Sequence, residues 1–294
     1  MLNKIIKKIQ SIFKIDKVLK NQNELKISTG LNFIYSKLKP IKLNDCEFKI
    51  FSQYGDDGII NYLTSNIKIY NKTFVEFGVE NYEESNTRFL LEGFAWAGLV
   101  IDSLKKNIDH IKSQDYFWKY NLKAEKHFIT VKNINKIIAN NKISGKIGLL
   151  SIDIDGNDYW VWKAIKVIDP SIVVIEYNAR FGSKESKVIP YEESFDRSKT
   201  NMCNIYYGAS LSALYKLGKK KGYSLVGTNK HGANAYFVKS ILLPKNNKVI
   251  KSKKPSECFH YNTFKESRDK RNNLLFLDNR QEIKILNKGK YIKI

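Results

Sequence analysis

Short apolar runs rich in β-branched residues recur along the chain, separated by stretches whose apolar residues fall three and four apart. The runs lie at 73–78 (TFVEFG), 98–102 (GLVID), 127–131 (HFITV), 147–153 (IGLLSID), 171–177 (SIVVIEY), 223–227 (YSLVG) and 235–238 (AYFV). Their lengths and bounding turn residues predict strands. Residues 55–66, 84–93, 104–113, 132–141, 157–167 and 209–221 predict helices between most of them. Such alternation predicts right-handed βαβ units around a buried parallel sheet. Only TNKHGAN joins the last two strands, too short for a parallel crossover, so they predict an antiparallel hairpin. The expected fold is α/β: a Rossmann-like seven-stranded sheet, mostly parallel, closed by that hairpin.

The flanks differ. Residues 2–20 place Ile5, Ile9, Ile12 and Phe13 near helical spacing, with Lys4, Lys7, Lys8, Lys14 and Lys17 between them. This predicts a basic amphipathic helix, suited to packing on its own domain or across a homodimer, or to lying on an anionic membrane surface. Residues 21–45 are polar and contain Pro40, predicting a connector. Residues 241–294 are rich in Lys and Asn with weak periodicity, predicting a basic C-terminal extension. The expected organisation is therefore 1–45, a domain at 46–240, and 241–294.

Composition narrows the classes. In 294 residues, 43% hydrophobic content excludes a disordered chain. No apolar run approaches the roughly 18–20 residues that cross a bilayer, and the N-terminus lacks a secretory apolar segment. Three scattered cysteines (Cys46, Cys203, Cys258) suit neither a disulfide framework nor a Cys-based zinc site. The expectation is a reduced cytosolic protein, at most peripheral to the inner face of the membrane. Fifty-one Lys and Arg against 29 Asp and Glu give a charge of +22, which invites a nucleic-acid partner. Only 6 of those cations are Arg, however, and the charge is uneven. Residues 1–50 carry +7 and 240–294 carry +9, whereas 51–100 carry −4 and 151–200 carry −2. Nucleic acid is therefore not the expected partner, and the acidic islands hold the candidate chemistry.

In an open α/β sheet, ligands bind beyond the C-terminal strand ends at the topological switch point. The first strand ends in Glu76-Phe77-Gly78-Val79-Glu80 and the second in Asp102. Gly78 permits close approach to the backbone, Glu76 suits an ammonium or hydroxyl, and Asp102 suits two ribose hydroxyls. Together they favour an adenosyl ligand, although the G-x-G-x-x-G dinucleotide signature is absent. The fourth strand runs into Asp153-Ile154-Asp155-Gly156-Asn157-Asp158 and the fifth into Glu176-Tyr177-Asn178. Asp153 and Asp155 point the same way along the strand, so their carboxylates repel unless a cation or proton lies between them. Oxygen donors from Asp153, Asp155, Glu176 and Asn178 suit Mg²⁺, Mn²⁺ or Fe²⁺. The competing assignment is a hydrogen-bonded site with Lys or Arg counter-ions. His231, in the closing hairpin loop, is the candidate general base.

This order of motifs resembles class I S-adenosylmethionine-dependent methyltransferases. VEFGVE (75–80) resembles their degenerate first motif and LVID (99–102) their ribose-binding acid. SQYGDDGI (52–59), SIDIDGNDYW (151–160), IEYN (175–178), YGASLSAL (207–214) and LVGTNKHGANAYFV (225–238) are similar to an FkbM-like bacterial group found among polysaccharide-modifying enzymes. The resemblance covers roughly 46–239, and Glu80 stands where a second Gly is common. It implies S-adenosylmethionine held near Gln53, Glu76, Gly78, Asp102 and Asp153. It also implies O-methylation of a sugar, nucleotide-sugar or surface-glycan precursor, with Asp153, Asp155 and His231 in catalysis. Catechol-type O-methyltransferases place acids and an Asn similarly, which implies a cation that activates the acceptor hydroxyl. Two alternatives stand beside it: a glycosyltransferase that uses the same Asp-x-Asp to hold a metal, and a basic RNA- or membrane-associated module motivated by the cationic termini.

Overall fold

The computed structural model describes Val18, residues 21–34 and residues 39–294. The chain divides into two compact units, Met1–Lys39 and Pro40–Ile294. In the first, residues 21–34 form a helix (α1) where the sequence predicted a connector. The stretch has no proline before Pro40, so nothing breaks the helix despite its polar composition. The predicted basic helix at 2–20 lies, except for Val18, outside the described residues.

The second unit is built on a seven-stranded sheet in the order β3-β2-β1-β4-β5-β8-β7. Its strands are β1 (Thr73–Phe77), β2 (Ala97–Asp102), β3 (Leu122–Lys126), β4 (Gly145–Ile152), β5 (Ile168–Glu176), β7 (Tyr223–Thr228) and β8 (Asn234–Lys239). A two-residue strand, β6 (Lys187–Val188), lies outside it. All neighbours in the sheet are parallel except β8, which runs antiparallel to both β5 and β7. The short loop after β7 dictates this arrangement, as the sequence predicts. Order reverses between β1 and β4, which creates the switch point.

Side-chain alternation sends successive strand residues to opposite faces. Leu149, Val100 and Val174 pack with Ile59 and Leu63 of α2 (Asp56–Asn66), Leu90 of α3 (Arg88–Phe94) and Ile108 of α4 (Lys105–Ser113). Leu150, Leu99 and Val173 pack on the other face with Ile137 of α6 (Ile134–Asn140), Trp162 of α7 (Asp158–Ala164) and Leu214 of α8 (Leu211–Lys220). One further turn, α5 (Asp115–Lys119), precedes β3. Both faces of the sheet are thus covered, as a parallel sheet requires.

Two predicted elements are displaced. The third strand is LKAEK (Leu122–Lys126), not the more apolar HFITV at 127–131. It is an edge strand with only Leu122 and Ala124 buried, and such strands carry charge on their open side. The third helix begins at Arg88 rather than 84, because the Glu76 carboxylate accepts hydrogen bonds from Asn86 N (2.9 Å) and Thr87 Oγ1 (2.5 Å). The loop before it also holds Glu80 and Tyr82 in left-handed conformations (φ 47° and 66°).

Residues 241–294 belong to the same compact unit as the sheet. They contain α9 (Pro255–Cys258), α10 (Asn279–Leu286) and β9 (Ile292–Lys293), which pairs with β6. Leu286 packs with Phe181, Ile189 and Ile205 in a small separate core. All three cysteines carry free thiols. Among the described residues no helix is long and apolar enough to cross a membrane.

Candidate active site

A cavity of about 880 Å³ opens at the switch point. Glu76 near the end of β1 and Gly78 just after it, Asp102 at the end of β2, Asp153 and Asp155 after β4, and Glu176 at the end of β5 all line it. That volume lies within the range of small-molecule sites.

Gly78 is dictated by its surroundings. Its φ is +71°, and a Cβ there would meet the Asp153 carbonyl oxygen at 1.6 Å. The absent side chain lets the β1 loop and the β4 end touch. Beside it Glu80 keeps the left-handed backbone that the missing second glycine would take easily, and its N–H is tied to Asp102 Oδ2 at 3.0 Å. Asp102 also accepts from Leu104 N (2.8 Å) and Asn107 Nδ2 (2.9 Å). A carboxylate offers about four acceptor positions, so three bonds orient Asp102 and leave one for a ligand.

Beyond β4 the chain turns. The expected strand alternation for Asp153 and Asp155 does not apply, because β4 ends at Ile152 and Asp155 is left-handed (φ 56°). The turn nevertheless brings carboxylate oxygens of Asp153, Asp155 and Glu176 within 4.8 Å of one another. Asp158 holds this turn by accepting from Ile154 N (2.8 Å) and Gly156 N (2.9 Å). Burial raises its pKa to about 6. Gly156 leaves room for the Phe195 ring, which a Cβ would strike at 2.2 Å.

The electrostatics are lopsided. Burial pushes Glu76, Asp153 and Glu176 above the ordinary carboxylate range, and for Asp153 and Glu176 the neighbouring aspartates add to the shift. Glu176 Oε2 is buried with no hydrogen-bond partner. The counter-charge comes from Arg197, whose Nη1 lies 2.9 Å from Asp155 Oδ1 and whose Nη2 lies 3.2 Å from Glu266 Oε2. Glu266 Oε1 also takes Arg180 Nη1 (2.7 Å) and the Tyr207 hydroxyl (2.9 Å). Arg197 and Glu266 were not legible as site residues, because one lies between β6 and α8 and the other in the basic extension.

Other expected residues have different places. Asn178, expected as a ligand, is fully buried and does not line the cavity. Its Nδ2 donates to the carbonyls of Ile205 (2.9 Å) and Tyr207 (3.1 Å), and its Oδ1 accepts from Arg180 N (3.2 Å). The amide is spent on anchoring the 178–207 segment, so it is corrected from ligand to anchor. His231 also stands outside the cavity lining. Its ring stacks on Tyr54 (4.8 Å between centroids) and its Nδ1 lies 2.5 Å from Thr263 Oγ1. Tyr54 in turn stacks on Phe264 (5.1 Å), so His231 braces an aromatic wall rather than facing the carboxylates. Gln53 does line the cavity. Its loop is pinned by Asp57 Oδ2, which accepts from Ile50 N, Phe51 N and Ser52 N at 2.7, 2.8 and 2.7 Å.

No protein-family model matches the chain, and no curated protein matches it. Among solved structures it is similar to an O-methyltransferase from Bacillus cereus in complex with SAH, at 13% identity and a TM-score of 0.42. That alignment covers 72% of this chain and 88% of the other. It is also similar to an S-adenosylmethionine-dependent methyltransferase from Clostridium acetobutylicum (10% identity, 62% and 88% covered, TM-score 0.39). The fibrillarin pre-rRNA processing protein of Methanococcus jannaschii gives 12% identity, 70% and 87% coverage and a TM-score of 0.39. The strand order itself makes this a Rossmann-like seven-stranded sheet, mostly parallel and closed by an antiparallel hairpin.

Proposed function

We propose that this chain is an S-adenosylmethionine-dependent O-methyltransferase acting on a sugar, nucleotide-sugar or surface-glycan precursor. One observation carries the proposal. The switch-point cavity of a strongly basic chain is lined by carboxylates short of counter-charge, with Glu176 Oε2 buried and unpartnered. A ligand with a sulfonium and an ammonium group supplies that positive charge.

When bound, S-adenosylmethionine supplies an electrophilic methyl group. Asp102, oriented by its three hydrogen bonds, offers its remaining acceptor position to a ribose hydroxyl, and the bare Gly78 backbone allows close approach. Asp153 and Glu176 orient the acceptor hydroxyl. One of them takes its proton as the carbon–sulfur bond breaks and the carbon–oxygen bond forms, leaving a thioether. Burial and the neighbouring aspartates raise the pKa of both, so either carboxylate, once ionised, is a stronger base than an exposed one.

The same three carboxylates support a second arrangement, in which Asp153, Asp155 and Glu176 hold a divalent cation. Their all-oxygen donor set and the orphaned Glu176 oxygen fit Mg²⁺ or Mn²⁺, which would lower the pKa of an acceptor hydroxyl. Arg197 competes for Asp155 in that arrangement.

The test is transfer of labelled methyl from S-adenosylmethionine to a panel of nucleotide sugars and oligosaccharides, with and without a chelator. Label in base-stable saccharide ethers is the expected product. Label in no saccharide overturns the acceptor class, and activity unchanged by chelation overturns the cation.

A further inference from the structure

Beside the cavity mouth, Leu274, Leu275 and Phe276 form a run of three apolar side chains that are 40%, 38% and 68% exposed. Consecutive exposed apolar residues on a soluble surface mark a binding face. This exposure is built in. Leu274 bridges antiparallel to Arg268, and Leu275 N donates to Ser267 O at 2.9 Å. The Asp269 carboxylate ties the turn by accepting from Arg271 N (2.8 Å), Asn273 N (2.8 Å) and Asn273 Nδ2 (3.0 Å). Phe276 itself is held at φ 49°, a strained backbone for an aromatic residue. The fold thus spends strain on presenting this tip.

The charge around the tip is net positive, with Arg268, Lys270 and Arg271 against Asp269 and Asp278. Lys270 and Arg271 are exposed, with no carboxylate partner among the described residues. Of the nearby acids, Asp269 is occupied within the turn, Asp278 caps α10 by accepting from Gln281 N (2.9 Å), and Glu266 is taken by Arg180 and Arg197.

We propose that residues 268–277 form a membrane-docking tip, with Leu274, Leu275 and Phe276 entering the interface of an anionic bilayer while Lys270 and Arg271 meet its headgroups. Apolar wedges flanked by cations match a bilayer interface. An RNA backbone makes no use of the apolar run, and a second copy brings like charges together. The tip is tied to the site, because Arg268 both pairs with Leu274 and lines the cavity. Docking therefore sets the cavity mouth against the membrane. Given the proposed methyl transfer, on which this last step rests, the acceptor is a saccharide presented at the membrane surface, as a lipid-linked glycan precursor would be.

The experiment is co-sedimentation of the full chain with phosphatidylglycerol-rich and pure phosphatidylcholine vesicles. Two double variants are compared with wild type: Leu275→Ser with Phe276→Ser, and Lys270→Gln with Arg271→Gln. Each cation near an anionic surface is worth about 1 kcal/mol, roughly fivefold in partitioning, so the charge variant should lose roughly 25-fold. The apolar variant should lose at least about tenfold, since inserted apolar area sets interfacial binding strength. Both should keep wild-type far-UV circular dichroism and S-adenosylmethionine affinity. Partitioning unchanged by the variants overturns the proposal, as it would if residues 1–39 carried all binding. Variants that instead abolish dimerisation or RNA retention overturn it too. Vesicle binding without S-adenosylmethionine binding in wild type would sink the methyltransferase assignment alone.

Discussion

Replacing Gly78 by Ala perturbs the point where β1 and β4 meet. The added Cβ lies 1.6 Å from the Asp153 carbonyl oxygen, and real Cβ contacts stay above 3.0 Å, so the two segments must separate by more than 1 Å. The left-handed backbone adds about 1–2 kcal/mol for a residue with a Cβ. Forcing packed backbones apart adds about 1–3 kcal/mol. A total loss of about 2–5 kcal/mol should appear as a lower urea midpoint. The displacement also moves Asp153 away from Glu76 and Asp102, so S-adenosylmethionine affinity should fall by more than about tenfold even where the protein stays folded. Gly145→Ala is the matched control. Gly145 has φ +67° but nothing within 4 Å of an added Cβ, so it should lose only the backbone cost and keep full affinity. Equal affinity losses in the two variants, or none in either, would refute the reasoning.

Three further outcomes are expected. Burial raises Asp57 and Asp158 to about 6, so each favours its neutral form in the folded state. Their contribution to stability is complete below about pH 4 and is lost as pH rises to about 6, on the order of 3 kcal/mol each. Asp158→Asn should remove its share of that slope in urea titrations at pH 4.5 and 7. Arg197 holds down the pKa values of Asp153 and Glu176, so Arg197→Met should shift the pH–rate profile upward, and Arg197→Lys should partly restore it. Asn178→Ala should cost about 1–3 kcal/mol in thermal unfolding, by orphaning the Ile205 and Tyr207 carbonyls, while leaving any metal dependence unchanged.

Topology was legible because it follows from local rules. A buried parallel strand is a continuous apolar run, and TNKHGAN is too short for anything but a hairpin. The edge strand LKAEK was not legible, because its exposed Lys and Glu mask a two-residue alternation while HFITV beside it carries more apolar bulk. Site residues at strand ends were legible for the same reason that ligands bind there. Glu76, Gly78, Asp102, Asp153, Asp155 and Glu176 all reach one cavity. Arg197, Glu266 and Phe264 were not, since they arrive from irregular segments whose course depends on tertiary contacts. Sequence proximity misled at Asn178, where a fully buried amide is consumed by the backbone it anchors.

The central claim is that this acidic switch-point cavity takes a cationic adenosyl ligand. Calorimetric titration of S-adenosylmethionine into the full chain tests it most directly. The account predicts saturable one-to-one binding that weakens at least about tenfold in Asp102→Ala and tightens as pH rises through the titration of Asp153 and Glu176. An absence of binding heat, with tight binding of a nucleotide sugar and Mn²⁺ in its place, would contradict it.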